Sequence, residues 1–167
     1  MKNRSWPVAV ATLVCLVPTA CSHRRVTPQA ASGDVANPSL ALAQGTVTIA
    51  HSGTAELALH VQIADTDTSR ATGLMGVKKM SDRAGMAFVF DGPSAESFWM
   101  KDTLIPLDIA FWDAQGHITT LFSMVPCTAD PCHLYTSSAP YVGSVEMNAG
   151  LLAAHGVNVG DTVTLSR

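Results

Sequence analysis

Alternation at period two governs what this chain can fold into. Val47, Ile49, Leu57, Leu59, Val61 and Ile63 fall on every second position on either side of His51-Ser52-Gly53-Thr54. Successive side chains of a strand point to opposite faces, so this spacing predicts a hairpin with one buried face. His60 and Gln62 take the other, solvent-directed face. The pattern returns downstream. Met86-Ala87-Phe88-Val89-Phe90 reads as a buried strand closed by the turn residues Asp91-Gly92-Pro93-Ser94. Leu107 to Trp112 and His117 to Val125 flank Asp113-Ala114-Gln115-Gly116, a hairpin signal with glycine available for positive φ. Tyr141 to Met147 and Thr162 to Leu165 supply further strands, the last entered through the turn at 157–161.

Two short helices interrupt this series. Asp65 or Thr66 can cap one that runs to about Met75, with Asp67 placed favourably in its first turn and Gly73 and Gly76 to end it. Asn148 can cap the other, Ala149 to His155, with Gly156 as its stop. About eight strands and two short helices predict a mostly β, single-domain barrel or sandwich over residues 45–167.

Residues 1–20 have a different character. Lys2 and Arg4 precede the apolar run Trp6 to Val17, too short to span a bilayer, and Pro18-Thr19-Ala20 leads to Cys21. These are the charged, apolar and small-residue regions of a secretory signal. Small residues just before a cysteine resemble a bacterial lipobox, in which Cys21 would be lipidated and several acyl chains would hold the protein on a membrane. Pro18 departs from that motif, and a soluble secreted protein is the other reading. Residues 21–44, rich in Ala, Pro, Ser and Val, read as a flexible tether between anchor and domain.

Charge narrows the partners. Without its first 20 residues the chain keeps eight basic against 13 acidic side chains, and from Ala84 to Ser166 the sole Lys or Arg is Lys101. Nucleic acid binding is driven by phosphate neutralisation, so this balance argues against it. Cys127 and Cys132 share one loop, and in an oxidising compartment such a pair predicts a structural disulfide.

Local rules fail most visibly at Phe98-Trp99-Met100-Lys101-Asp102-Thr103-Leu104-Ile105-Pro106-Leu107-Asp108. If Ser97 to Leu104 is extended, Trp99, Lys101 and Thr103 share one face, and Asp102 falls on the apolar face with Phe98 and Met100. A carboxylate there needs a partner, because burying a bare charge is prohibitive.

Several stretches together resemble a known family: Gly73-Leu74-Met75, Gly85-Met86 before Phe88-Val89-Phe90, the Phe98 to Asp108 block, Pro131-Cys132 with Tyr135, and the turn from Gly156 to Asp161. They resemble domain-of-unknown-function family 192 from about Val47 to Leu165. The resemblance implies a small β-rich barrel or sandwich and agrees with a secretion signal; it implies no particular activity. Two departures stand out. The family commonly has Asn where this chain has Asp102, and Glu in the first helical turn where it has Ser69, which forfeits a capping box.

The expected function is therefore a periplasmic accessory or ligand-binding domain, tethered through lipidated Cys21. Its recognition patch would be Trp99, Lys101, Thr103 and Asp108, with Tyr135 nearby and Asp102 as a neighbouring carboxylate, facing a small molecule, glycan or peptide. Two alternatives remain open. One is an enzyme using Asp102, Asp108 and Lys101 for acid–base chemistry. The other is a copper module drawing on Met75, Met80, Met86, Met100, Met124 and Met147, although these methionines form no ligand cluster in sequence. No cofactor motif or metal site is expected.

Overall fold

A computed structural model describes residues 36–51 and 57–167. The expectations for the signal, for Cys21, for the tether up to residue 35 and for the turn at 52–54 lie outside the described residues. The described chain forms β1 (Gln44–Ala50), β2 (Leu57–Ala64), α1 (Asp67–Thr72), β3 (Ala84–Ser94), β4 (Ser97–Trp99), β5 (Leu107–Trp112), β6 (Ile118–Met124), β7 (Leu134–Thr136), β8 (Tyr141–Asn148), α2 (Leu151–Ala154) and β9 (Thr162–Ser166). Mostly β, as the alternation predicted, it has nine strands where about eight were expected. The addition is β7, in the stretch expected as a loop; it pairs with β4, and the two make a sheet of their own.

The other seven strands lie in the order β6-β5-β8-β3-β2-β1-β9. Only β2 and β3 run parallel, joined through α1; the remaining pairs are antiparallel. The sheet curls until its two ends meet at one corner. There His117 bridges Thr162, Ile118 N–H donates to the Asp161 carbonyl at 2.8 Å, and Val163 N–H donates to the Gly116 carbonyl at 2.7 Å. The result is a half-barrel.

Both faces of this sheet are covered. Inside the curl Val47, Ile49, Leu59, Ile63, Ala110 and Val145 pack with Leu152 of α2. On the outer face Met86, Phe88, Ile109, Phe111 and Tyr141 lie under Leu74, Met80, Met100, Phe98 of β4 and Tyr135 of β7. Coverage on two sides explains why all six residues of β5 are buried. Part of the expected tether contributes as well. Asn37 N–H donates to the Gln62 side-chain oxygen, the Gln62 amide donates to the Asn37 and Leu40 carbonyls, and Leu40 and Leu42 pack against the outer core. Gln62 is buried for that reason, while His60 stays exposed as the alternation required.

Helix termini depart from the sequence reading in three places. Ser69 does not forfeit the capping box: its N–H donates to Thr66 Oγ1 at 3.2 Å and its hydroxyl accepts from Thr66 N–H at 3.0 Å. A serine hydroxyl here completes the reciprocal pair that Glu more often makes. α1 also ends at Thr72, short of Met75, because Gly73 takes a φ of 47°. Asn148 caps nothing; its amide donates to the Met80 carbonyl and to Asp82. Gly150 is the N-cap of α2, and the Asp108 carboxylate reaches across from β5 to accept from Gly150 N–H at 2.8 Å and Leu152 N–H at 3.1 Å.

Tyr141 anchors the outer layer. Its ring lies 4.8 Å from Phe111 and 5.3 Å from Phe90, and its hydroxyl donates to the Glu96 carbonyl at 2.7 Å, just before β4 begins. Burial, the largest influence on this phenol, pushes its pKa up and keeps it a donor. Tyr141→Phe keeps the packing and strands that carbonyl, with an expected loss of about 1 kcal/mol in urea unfolding.

Candidate functional site

Strand alternation ends at Trp99. Asp102 has a φ of 53°, Thr103 N–H folds back to the Met100 carbonyl at 3.2 Å, and the Asp102 carbonyl accepts from Gly76 N–H at 2.9 Å. A left-handed turn thus replaces the expected extension through Leu104. Asp and Asn are the non-glycine residues that tolerate this region best. Asp102 is consequently exposed, not set on the apolar face as the alternation had it, and Thr103 is buried.

The predicted patch separates into distinct surroundings. Lys101 holds Asp130 of the following loop, with Nζ 3.0 and 2.9 Å from its two oxygens; that hydrogen bond and charge keep the lysine pKa above its ordinary value. Lys101 and Asp102 line a polar depression of about 190 Å³ with the 127–132 loop, which the Cys127–Cys132 disulfide closes. Tyr135 is buried, accepting from Val125 N–H at 3.2 Å with the His133 ring edge-on at 4.6 Å. Asp108 is an internal residue: besides capping α2 it accepts from Ser123 Oγ at 2.6 Å. The acid–base trio of Asp102, Asp108 and Lys101 therefore does not meet in one pocket. Of the six methionines, Met80, Met86, Met100, Met124 and Met147 are buried in the two cores and Met75 is half-buried.

Trp99 and Thr103 do come together, around a cavity that no sequence motif announced. A cleft of about 390 Å³ runs between α1 and β4. Asp67, Arg70 and Ala71 form one wall, Ser97, Phe98 and Trp99 the other, with Phe88 and Phe90 of β3 between them. Trp99 is 49% exposed at its lip. Arg70 is fixed in place: it pairs with Asp67, donates to the Val89 carbonyl at 2.8 Å, and lies 4.8 Å over the Phe90 ring.

The cleft adjoins a chamber of about 30 Å³ bounded by Gly73, Met75, Phe88, Trp99, Thr103 and Glu146. Glu146 of β8 lies in register with Met86 on one side and Ile109 on the other, so its carboxyl projects into the outer core. It is 4% exposed and makes no side-chain hydrogen bond among the described residues. Burial alone pushes its pKa up to about 8, leaving the carboxyl mostly protonated at neutral pH. Two positions away along β8, the buried Ser144 hydroxyl also lacks a partner. Sequence reasoning missed Glu146. The signal was a carboxylate inside an otherwise apolar strand, Tyr141 to Met147, which passes for a solvent-face residue until both faces of the sheet are known to be covered.

Comparison with known proteins agrees with the resemblance drawn from the sequence. The profile of DUF192, described as Uncharacterized ACR, matches residues 47–165. A candidate transcription regulator from Sinorhizobium meliloti 1021 superposes with a TM-score of 0.70 at 29% identity, covering 75% of this chain and 96% of its own. A protein of unknown function from Novosphingobium aromaticivorans DSM 12444 gives 0.71 at 29% identity, covering 81% and 94% respectively. No curated protein matches the chain in sequence.

Proposed function

We propose that this chain, which belongs to the DUF192 family, is a ligand-binding accessory domain of the cell envelope that takes a small ligand between α1 and β4. One observation carries the reading: an aromatic-walled cleft leads to a buried carboxyl with no hydrogen-bond partner among the described residues. Evolved sites combine apolar walls with a few directed polar groups in cavities of roughly 300–1,000 Å³. An unsatisfied buried polar group also calls for an explanation, and a ligand supplies one.

The amino-terminal features complete the proposal. The signal-like segment and Cys21 support export and a lipid anchor, with the domain held in the periplasm. The description of the Sinorhizobium neighbour is not carried over, because a chain with one Lys or Arg between Ala84 and Ser166 offers DNA little. Nor does the acid–base alternative gain support, since Asp108 is committed to α2 and Lys101 to Asp130.

Blocking the cleft tests this. Ala71 lies exposed on its α1 wall, so Ala71→Trp fills the cleft from the solvent side with little demand on the core. A fragment set screened by NMR is expected to shift resonances of Phe88, Phe98 and Trp99 in the wild type and to leave Ala71→Trp unmoved at an unchanged melting temperature. Fragments that bind both proteins equally, or that shift only residues elsewhere, overturn the assignment.

A further inference from the structure

We propose that the cleft takes a ligand bearing a primary ammonium group, with Glu146 as its buried counter-ion and Phe88, Phe98 and Trp99 around its apolar stem. The inference rests on the cleft being the binding site and adds the chemical class of what enters it.

Size comes first. A chamber of about 30 Å³ beside Glu146 has room for a group about the size of a water molecule, and an ammonium is one. The larger space outside it accepts the rest of the ligand.

Chemistry narrows the choice. An isolated carboxylate in an apolar wall is unstable alone and favourable once a cation sits against it. The residues around the chamber offer no such cation. Arg70, the one basic residue among them, is already held by Asp67 and the Val89 carbonyl; the other α1-side neighbours, Ala71 to Met75, carry no charge, and neither do Phe88, Phe98, Trp99 and Thr103. Among the described residues, then, none supplies the counter-ion, and a ligand can. Aromatic faces favour a cation as well, and Arg70 already rests over Phe90 in the same cleft. Thr103 also borders the chamber, and its hydroxyl, which donates to the Lys101 carbonyl at 3.4 Å, keeps lone pairs for a second N–H. An anionic ligand would instead face Glu146 and, at the rim, Asp67 and Glu96. Binding has a proton balance: the neutral Glu146 carboxyl gives its proton to solvent as the ammonium arrives, so one proton leaves for each ligand bound.

Calorimetry on the full chain in detergent decides it, with benzylammonium as the probe and benzyl alcohol and benzoate as neutral and anionic counterparts. At pH 6.5, in two buffers of different ionisation enthalpy, benzylammonium is expected to bind with release of about one proton, and the two counterparts not to bind. Glu146→Gln should weaken benzylammonium about tenfold or more and abolish the proton release. Ala71→Trp should abolish binding with Glu146 still present, which keeps the test decisive if the glutamine variant does not fold. Equal binding of benzyl alcohol, an unchanged affinity in Glu146→Gln, or binding without proton release overturns the inference. In those cases loss of binding in Ala71→Trp leaves the cleft itself standing. Absence of benzylammonium binding to the wild type also overturns the inference, and the fragment screen then judges the cleft separately.

Discussion

Glu146→Gln is expected to stabilise the ligand-free protein at pH 7 to 8 and to remove most of its loss of stability between pH 4.5 and 8. The sign follows from proton binding. Unfolded, the carboxyl titrates near its ordinary value of 4.5; folded, burial raises it to about 8. Between these values the native state holds a proton that the unfolded state has given up, so stability falls as pH rises. The contribution is fully present below pH 4.5 and is lost as pH rises through the folded pKa. At 1.36 kcal/mol per pKa unit, the unfolded state gains about 3 kcal/mol by pH 7. Glutamine carries no proton to lose, and its shape fits the same space. Urea midpoints at pH 4.5, 6, 7 and 8 should converge for the two proteins at the acid end and diverge towards the alkaline end. Parallel curves would mean that Glu146 reaches water in solution.

Asp108→Ala is the other large effect. That carboxylate accepts from Gly150 N–H, Leu152 N–H and Ser123 Oγ, at 2.8, 3.1 and 2.6 Å, and is 1% exposed. Alanine removes the acceptor of all three, leaving the buried Leu152 N–H without a partner while the part-buried Gly150 N–H and Ser123 hydroxyl can turn to water, and a loss of about 2–3 kcal/mol is expected. α2 should loosen first, since Gly150 provides no side-chain cap of its own. Because Leu152 and Val157 pack inside the curl, hydrogen exchange should quicken there and then along the facing strands. Asp108→Asn keeps an acceptor oxygen and should lose less. A fold that tolerated Asp108→Ala without change in unfolding midpoint would show that α2 is held by packing alone.

The strands were legible in the sequence because alternation and turn chemistry are local. Val47 to Ile63 and the hairpin around Gly116 needed no knowledge of the rest of the chain, and neither did the Cys127–Cys132 pairing. What escaped depends on partners far away in sequence. Gln62 is polar on a face that reads as solvent, and only the return of Asn37 and Leu40 buries it. Asp108, expected in the recognition patch, took the capping role expected of Asn148, because the cap of α2 comes from another strand. The turn at Asp102 broke the inferred faces of β4, separating Lys101 from Trp99 and Thr103. Glu146 was hidden for a related reason. Alternation says that a residue differs from its neighbours but not what will cover it.

The meeting of the sheet's ends has a further consequence, for how another chain can bind. An open sheet presents a row of unpaired backbone groups that an extended peptide can lengthen by one strand. Here the terminal strands β6 and β9 use much of that capacity on this chain itself. Gly116, Ile118 and Gly160 exchange hydrogen bonds with the start of β9 and with β6, and the Ser137-Ser138 loop bonds to Thr119 and Thr120 further along β6. At those positions strand addition would first have to displace the protein's own backbone. At that corner, closing the sheet on itself removes an edge that strand addition would need.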